Sequence, residues 1–337
     1  MWMEGSTSGV YRMWFQHMDI NRIPFYQYNT IIVGTGAAGL NAAVTLHKLG
    51  QKNIALITEG RYMGTSRNTG SDKQTYYKMT QCGSEPDSVR KMAKTLFEGG
   101  CVDGDIAMAE AAGSLRAFYH LVDIGVPFPF NKSGEYVGYK TDHDPLKRGI
   151  SAGPLTSKYM TECLERQAEE RGIPLFDGYQ AVRLLTEEKD GDKRAAGIIA
   201  LNKQKAASPD ERYAVFSAVN IIWATGGEAG MYQASVYPVS QTGGMGVLLE
   251  AGAVAKNLTE SQFGIASVKH RWNLSGTFQQ CLPRYLSAEQ DGSHEREFLN
   301  DYFDTPRQLL TAIFLKGYQW PFDPRNCLLY TSPSPRD

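Results

Sequence analysis

Residues 28–39 read "YNTIIVGTGAAG", an apolar β-branched run that empties into a glycine turn. The run 30–33 has the composition of a parallel strand buried on both faces. A helix fits the adjoining segment: in "AAGLNAAVTLHKLG", Leu40, Ala43, Leu46 and Leu49 recur near helical spacing and Gly50 supplies the stop. A second apolar run, "NIALIT", then ends at Glu59. Strand, glycine turn, helix and strand make a unit of about 30 residues, with G-x-G-x-x-G opening the helix.

In such a unit each glycine has its own task. Gly34 makes the tight turn, Gly36 lets the backbone approach a pyrophosphate, and Gly39 lets helix and strand pack closely, with the helix N-terminal amides facing the phosphates. Glu59 lies about 20 residues past Gly39, where an acid accepts both ribose hydroxyls and repels a 2′-phosphate. The pattern predicts an α/β, doubly wound Rossmann-type domain; a glycine turn with an incidental acid is the plain alternative. NAD and FAD both use this unit. The next segment, "GRYMGTSRNTGSDKQTYY", favours FAD. Its residues Gly64, Thr65, Ser66 and Gly70 leave backbone amides open to a second part of a long cofactor, whereas a nicotinamide domain more often enters another helix directly.

The rest of the composition agrees with a small-molecule site. With 337 residues, 42% hydrophobic and 21% charged, the chain can bury a sizeable core and form more than one domain. A net charge of −1 gives no support to a nucleic-acid partner. The five cysteines are scattered without a C-x-x-C pair, so no metal site or disulfide framework is expected, which fits a reducing compartment. No apolar run has the length of a membrane span and the first residues lack the order of a signal peptide, so the expected location is cytoplasmic. Residues 1–24 read as an irregular extension. The final "CLLYTSPSPRD", residues 327–337, reads as a non-native tail left by assembly of the sequence, with a natural disordered tail as the alternative.

Farther along, "TSKYMTECLERQAEERG" reads as an amphipathic helix with Tyr159, Met160, Cys163, Leu164 and Ala168 on its less polar side. The runs "IPLFDGYQAVRLLTEE", "RAAGIIALNK" and "YAVFSAVNIIWATGG" read as a small β-meander returning to the main sheet, with "EEKDGDKR" as a solvated hairpin turn. The last run ends in Thr225, Gly226 and Gly227, a second glycine turn that flanks the first if the two strands are parallel neighbours.

The ordered set "IIVGTGAAGL", "LITEG", "GTSRNTG", "QAVRLL", "WATGG" and "QTGGMGVLLEAGA" resembles the FAD-dependent family of succinate dehydrogenase and fumarate reductase flavoproteins, which includes L-aspartate oxidase. The resemblance covers residues 28–263. It implies that Gly34, Gly36 and Gly39, with Ala37 and Ala38, hold the FAD pyrophosphate and that Glu59 holds the adenosine ribose. It also implies that Ser66 and its neighbours run along the flavin side and that Ala181 and Val182 meet adenine. Ala224, Thr225, Gly226 and Gly227, with Thr242 and Gly243, would form the turns beside the cofactor.

Departures from the family pattern matter as much. Arg67 follows Ser66 where covalent relatives carry a histidine, implying noncovalent FAD. "TGGMG" stands where many relatives read T-G-D-G. Gln262 and Phe263 are followed by Gly264 and Ile265, where dicarboxylate-binding relatives continue with His-Pro-Thr. Arg284, in "QQCLPRYL", is the candidate for the cap-domain arginine that handles the proton in fumarate-reductase-like enzymes; an ordinary salt-bridged arginine reads the same. Lys269, His270 and Arg271 could bind a carboxylate or form a solvated loop.

The expected organisation is an extension (1–24), an FAD-binding domain (25–266), the start of a cap domain (267–326) and the tail (327–337). The expected activity is hydride exchange between flavin N5 and a small carboxylate, saturated or unsaturated, with an electron-transfer partner in addition. Two alternatives remain open: an NAD-dependent dehydrogenase, and a noncatalytic cofactor-binding fragment. The second arises because the resemblance places a substrate histidine, a substrate arginine and the closing piece of the FAD domain beyond the last residue.

Overall fold

The computed structural model describes residues 23–69, 74–83, 85–98, 102–140, 144, 146–227, 237, 241, 243–256, 266–267, 272–273, 279 and 281–316. All but two residues of the expected extension, and the whole expected tail, lie outside them. Along the chain the elements are β1 (Phe25–Val33), α1 (Ala37–Lys48), β2 (Ile54–Thr58), α2 (Thr65–Asn68), β3 (Tyr76–Tyr77), α3 (Val89–Glu98), α4 (Gly104–Asp123), β4 (Gly149–Ile150) and α5 (Thr156–Glu170). They continue with β5 (Leu175–Asp177), β6 (Tyr179–Lys189), β7 (Asp192–Asn202), β8 (Tyr213–Trp223), α6 (Met245–Glu250), β9 (Ala266–Ser267), β10 (Trp272–Asn273) and α7 (Pro306–Lys316). The chain forms two compact units. The first comprises Met1–Thr69, Met160–Tyr232 and Tyr237–Ala255, the second Gly70–Tyr159, Gln233–Val236 and Lys256–Asp337.

The first unit is built on a six-stranded sheet of order β5-β2-β1-β8-β7-β6. β1 runs parallel to β2 and β8, and β5 parallel to β2, while β7 is antiparallel to both β8 and β6. The expected meander is therefore the antiparallel half of the main sheet, joined to the parallel half at β8. The expected run 173–188 is two strands. Gly178, at φ 82°, takes a left-handed conformation open to glycine, and the chain leaves β2 there to pair with β7.

Parallel strands buried on both faces need apolar residues at successive positions, and Ile31, Ile32, Ala55, Leu56 and Ile57 are all fully buried. On one face Ile31, Val33, Ala55 and Ile57 pack with Ile198, Ala200, Ala214 and Phe216. The Phe216 ring stacks on Tyr26 at 4.9 Å and meets Phe176 and Tyr179 edge-on at 4.9 and 5.6 Å. α1 buries Gly39, Leu40, Ala43 and Val44, and Gly39 sits directly over Ile32.

In the second unit α3 and α4 pack through Met92, Ala93, Leu96, Ala107 and Ala111. Asp103 caps α4, its carboxylate accepting from the Asp105 and Ile106 amides at 3.2 and 3.3 Å. β3 pairs with β4, and the adjoining Arg148 is wholly buried. Its Nε and Nη2 donate to the two oxygens of Asp87 at 2.9 and 2.8 Å, and its Nη1 donates to the Tyr77 hydroxyl at 3.1 Å and to Asp144 at 3.5 Å. Burial alone would push the Asp87 carboxyl up. The hydrogen bonds from Arg148 and from the Thr80 and Ser88 amides outweigh it and hold Asp87 below the usual carboxylate value.

Candidate cofactor site

β1 and β8 end side by side, with Val33 opposite Trp223, so the glycine turns after them start together. The Ala224 amide donates to the Val33 carbonyl at 2.7 Å, and the Gly34 amide to the Ile57 carbonyl at 2.8 Å. Gly34 has φ 106°, and a Cβ there would lie 2.3 Å from the Ala224 carbonyl oxygen. A Cβ on Gly39 would lie 2.0 Å from the Gly34 carbonyl oxygen. Gly36 differs: its φ is −74°, and an added Cβ would meet only the Ser66 side chain, at 3.2 Å from Oγ. Gly34 and Gly39 are thus required by the backbone itself, whereas Gly36 leaves room.

That room belongs to a cavity of about 280 Å³ in the first unit, lined by residues 33–38, 57–60, 63–66, 179–181 and 223–226 with Gln241, Gly243 and Gly244. It brings together most residues expected at a cofactor: Gly34, Gly36, Ala37, Ala38, Glu59, Gly64, Thr65, Ser66, Ala181, Ala224, Thr225, Gly226 and Gly243. Three expected residues are not in the wall. Gly39 lies behind it, pressed against Gly34. Val182 is exposed, since neighbouring strand residues face opposite sides and Ala181 takes the inner one. Gly227 lies one residue past the lining part of its turn.

Gly70, Thr242, Lys269, His270 and Arg271 lie outside the described residues. Arg284, in the second unit, is 73% exposed and ion-paired with Glu297, its Nε 2.6 Å from Oε1.

The wall offers mainly hydrogen-bonding groups. The N-terminus of α1 carries no side-chain cap, and the Ala37 amide donates to Ser66 Oγ at 3.3 Å. Thr35 Oγ1 donates to Thr58 Oγ1 at 3.0 Å, tying the first turn to the end of β2. Thr65 Oγ1, Trp223 Nε1 and Gln241 Oε1 are buried without a hydrogen-bond partner among the described residues, a condition native proteins rarely leave uncompensated. The Tyr179 phenol is pushed up to about 12, by burial and then by Tyr26, so it stays a neutral hydrogen-bonding group.

Gln180, Trp223 and Gln241 open motifs quoted above without being assigned to the site, and Tyr179 is not singled out; the sheet that holds β6 and β8 on either side of β7 brings Tyr179, Gln180 and Trp223 to the cavity. Main-chain amides, hydroxyls and one carboxylate along a glycine-lined groove fit an extended dinucleotide. Among the described residues no group of His, Cys, Asp and Glu could hold a metal ion, and no helix is long and apolar enough to cross a membrane.

Arg67 points elsewhere. Its side chain is 10% exposed and its guanidinium pairs with Glu165 at 2.5 Å and Glu162 at 3.8 Å. Glu165 also accepts from Arg61 Nε at 2.6 Å, and the Tyr62 ring lies under both guanidiniums at 5.3 and 5.5 Å.

Comparison with known proteins agrees with this geometry. The family described as FAD binding domain matches residues 29–284. The L-aspartate oxidase of Agrobacterium fabrum is 28% identical over 242 residues, covering 69% of this chain and 42% of that protein. The L-aspartate oxidase of Pseudomonas aeruginosa is 29% identical over 262 residues, covering 73% and 46%. The chain thus spans less than half the length of these curated relatives. Among solved structures, a flavocytochrome c3 fumarate reductase superposes with a TM-score of 0.63 at 17% identity, covering 94% of this chain and 54% of that one. A quinol-fumarate reductase does so with 0.63 at 19% identity, covering 90% and 54%. Both show a shared fold. The chain belongs to the FAD binding domain family, and FAD is its cofactor.

Proposed function

We propose that this chain is the FAD-holding part of an oxidoreductase that acts on a small carboxylate. The observation that carries the reading is the pair of glycine turns at the adjacent ends of β1 and β8, opening on one cavity with Glu59 in its wall. The substrate class is supported by the relatives: the sequence matches are L-aspartate oxidases and the structural matches fumarate reductases, and aspartate and fumarate are both carboxylates.

When bound, FAD supplies hydride exchange at N5. The protein's part is to bind and orient. The α1 N-terminal amides and the Gly36 backbone would hold the pyrophosphate, Glu59 would accept from the ribose hydroxyls, and Thr65, Trp223 and Gln241, which line the same cavity with unpartnered polar atoms, would offer them to the cofactor. Lys269, His270 and Arg271 would bind the substrate carboxylate. Arg284 would exchange the proton once released from Glu297. The deciding assay offers the flavin-loaded protein reduced viologen with unsaturated carboxylates, an oxidised dye with saturated ones, and in each arm matched compounds that lack the carboxylate. Turnover restricted to compounds without a carboxylate would overturn the substrate class.

The residues in place set two expected outcomes. Arg67 is engaged by glutamates and offers no imidazole, so acid precipitation should release all the flavin into the supernatant; yellow colour held in the washed pellet would show a covalent link. Glu59→Ala removes a charge-assisted hydrogen bond, which typically costs roughly 1.5–3 kcal/mol, so FAD affinity should fall about 10- to 150-fold. A flavin fluorescence titration measures it, and an unchanged Kd removes Glu59 from the site.

A further inference from the structure

Lys203 comes directly after β7, and its Nζ lies 2.8 Å from Glu59 Oε1. We infer that Lys203 is the positioning residue of the ribose end of the cofactor site, and that it sets how that end treats a phosphate on the ribose. The inference rests on the assignment of Glu59 to the ribose.

Several contacts fix where Lys203 starts. Its amide donates to the Gly178 carbonyl at 2.8 Å. Its neighbour Asn202 accepts from the Gln204 amide at 3.1 Å and donates to the Tyr179 hydroxyl at 3.1 Å. Gly178 has φ 82°, and a Cβ there would press on the Gln204 side chain at 3.2 Å. The turn that carries Lys203 is therefore tied to the foot of β6, the stretch that supplies Tyr179, Gln180 and Ala181 to the cavity wall.

The Glu59 side chain is 30% exposed and that of Lys203 43%. For stability such a pair counts for little. For binding it matters in two ways. Lys203 occupies Oε1, so the carboxylate is held in one orientation and Oε2 is left for a ribose hydroxyl. The ammonium also cancels a negative charge that would otherwise face a ligand carrying a pyrophosphate. An acid alone at this position repels a 2′-phosphate; an acid with a lysine on it loses much of that repulsion and gains a phosphate-binding group.

A double-mutant cycle on the full chain, read by flavin fluorescence titration, tests this. Lys203→Met should weaken FAD binding about 3- to 10-fold, and Lys203→Arg should restore most of it. In the Glu59→Ala background Lys203→Met should change the affinity less than about twofold, because Lys203 acts through Glu59. Competition against bound FAD adds the specificity arm. Adenosine 2′,5′-bisphosphate should compete within about threefold of adenosine 5′-monophosphate in the wild type, and about tenfold less well in Lys203→Met. Apoprotein unfolding midpoints should be equal for wild type and Lys203→Met, separating binding from folding.

A Lys203→Met protein that binds FAD like the wild type while Glu59→Ala binds weakly overturns the role of Lys203. Full additivity of the two substitutions overturns its action through Glu59, and an unchanged ratio of the two nucleotides overturns the specificity role. If Glu59→Ala itself binds normally, the ribose assignment has failed and takes Lys203 with it.

Discussion

Gly39→Ala and Gly34→Ala are expected to destabilise the first unit before any cofactor is involved, whereas Gly36→Ala should leave the apoprotein stable and weaken its hold on FAD. The three glycines look alike in the motif but differ in what a methyl group would meet. On Gly39 it would stand 2.0 Å from the Gly34 carbonyl oxygen, and on Gly34, at positive φ, 2.3 Å from that of Ala224. Neither oxygen can withdraw, since each belongs to a turn held by the ends of β1, β2 and β8. Overpacking of this kind costs about 1–3 kcal/mol and more where backbone must move, against a total stability of about 5–15 kcal/mol. Denaturation midpoints of the three apoproteins, then FAD titration of those that fold, separate the roles. A Gly36→Ala protein with wild-type FAD affinity, or a Gly39→Ala apoprotein with a wild-type midpoint, would contradict the structure.

Arg148→Met should cost the second unit about 3–5 kcal/mol, the usual penalty for removing one partner of a buried ion pair. The side chains of Asp87 and Asp144 are 1% and 2% exposed, so neither carboxylate can turn to water when the guanidinium goes. A sign distinguishes this from simple loss of packing. In the wild type Asp87 sits below its unfolded value, so its contribution is present above about pH 4 and is lost as pH falls through the folded value. In Arg148→Met the stranded carboxylate is raised by burial and is relieved by protonation. The stability gap between the two proteins should therefore narrow on acidification from pH 7 to about pH 4. A gap under about 1 kcal/mol at neutral pH, or one that widens in acid, would show that the pairing does not hold this region together.

Local features of the fold were legible where one short stretch contained its own cause. The run 30–33, the glycine turn and Glu59 needed only strand burial, turn geometry and spacing. The adjacency of β1 and β8 was legible as a condition, because two glycine turns can share a ligand only if their strands are parallel neighbours. The break at Gly178 was not, since one left-handed glycine inside an apolar run looks like any other. Trp223 and Gln241 lie in one cavity wall with buried polar atoms that have no partner among the described residues, and no spacing in the sequence foretells that. Arg148 shows the opposite limit: Asp144 lies four residues away, but Asp87, which takes both Nε and Nη2, lies 61 residues away, and no local spacing announces that pairing.

The pairing of β1 with β8 also bears on how the chain folds. Ile31 lies beside Ile221 and Val33 beside Trp223, so this edge of β1 cannot be covered until β8, far along the chain at Tyr213–Trp223, is available. β1 and β2 are made before β8, and residues 70–159, which belong to the second unit, are made in between. Closing so long a loop costs only logarithmically more than closing a short one, but non-local pairing slows folding. During that interval the apolar edge 30–33 stands open to strands of other chains. That exposure falls before residues 223–226 of the cofactor cavity have been made, so chaperone supply during synthesis should raise the soluble yield more than added flavin does.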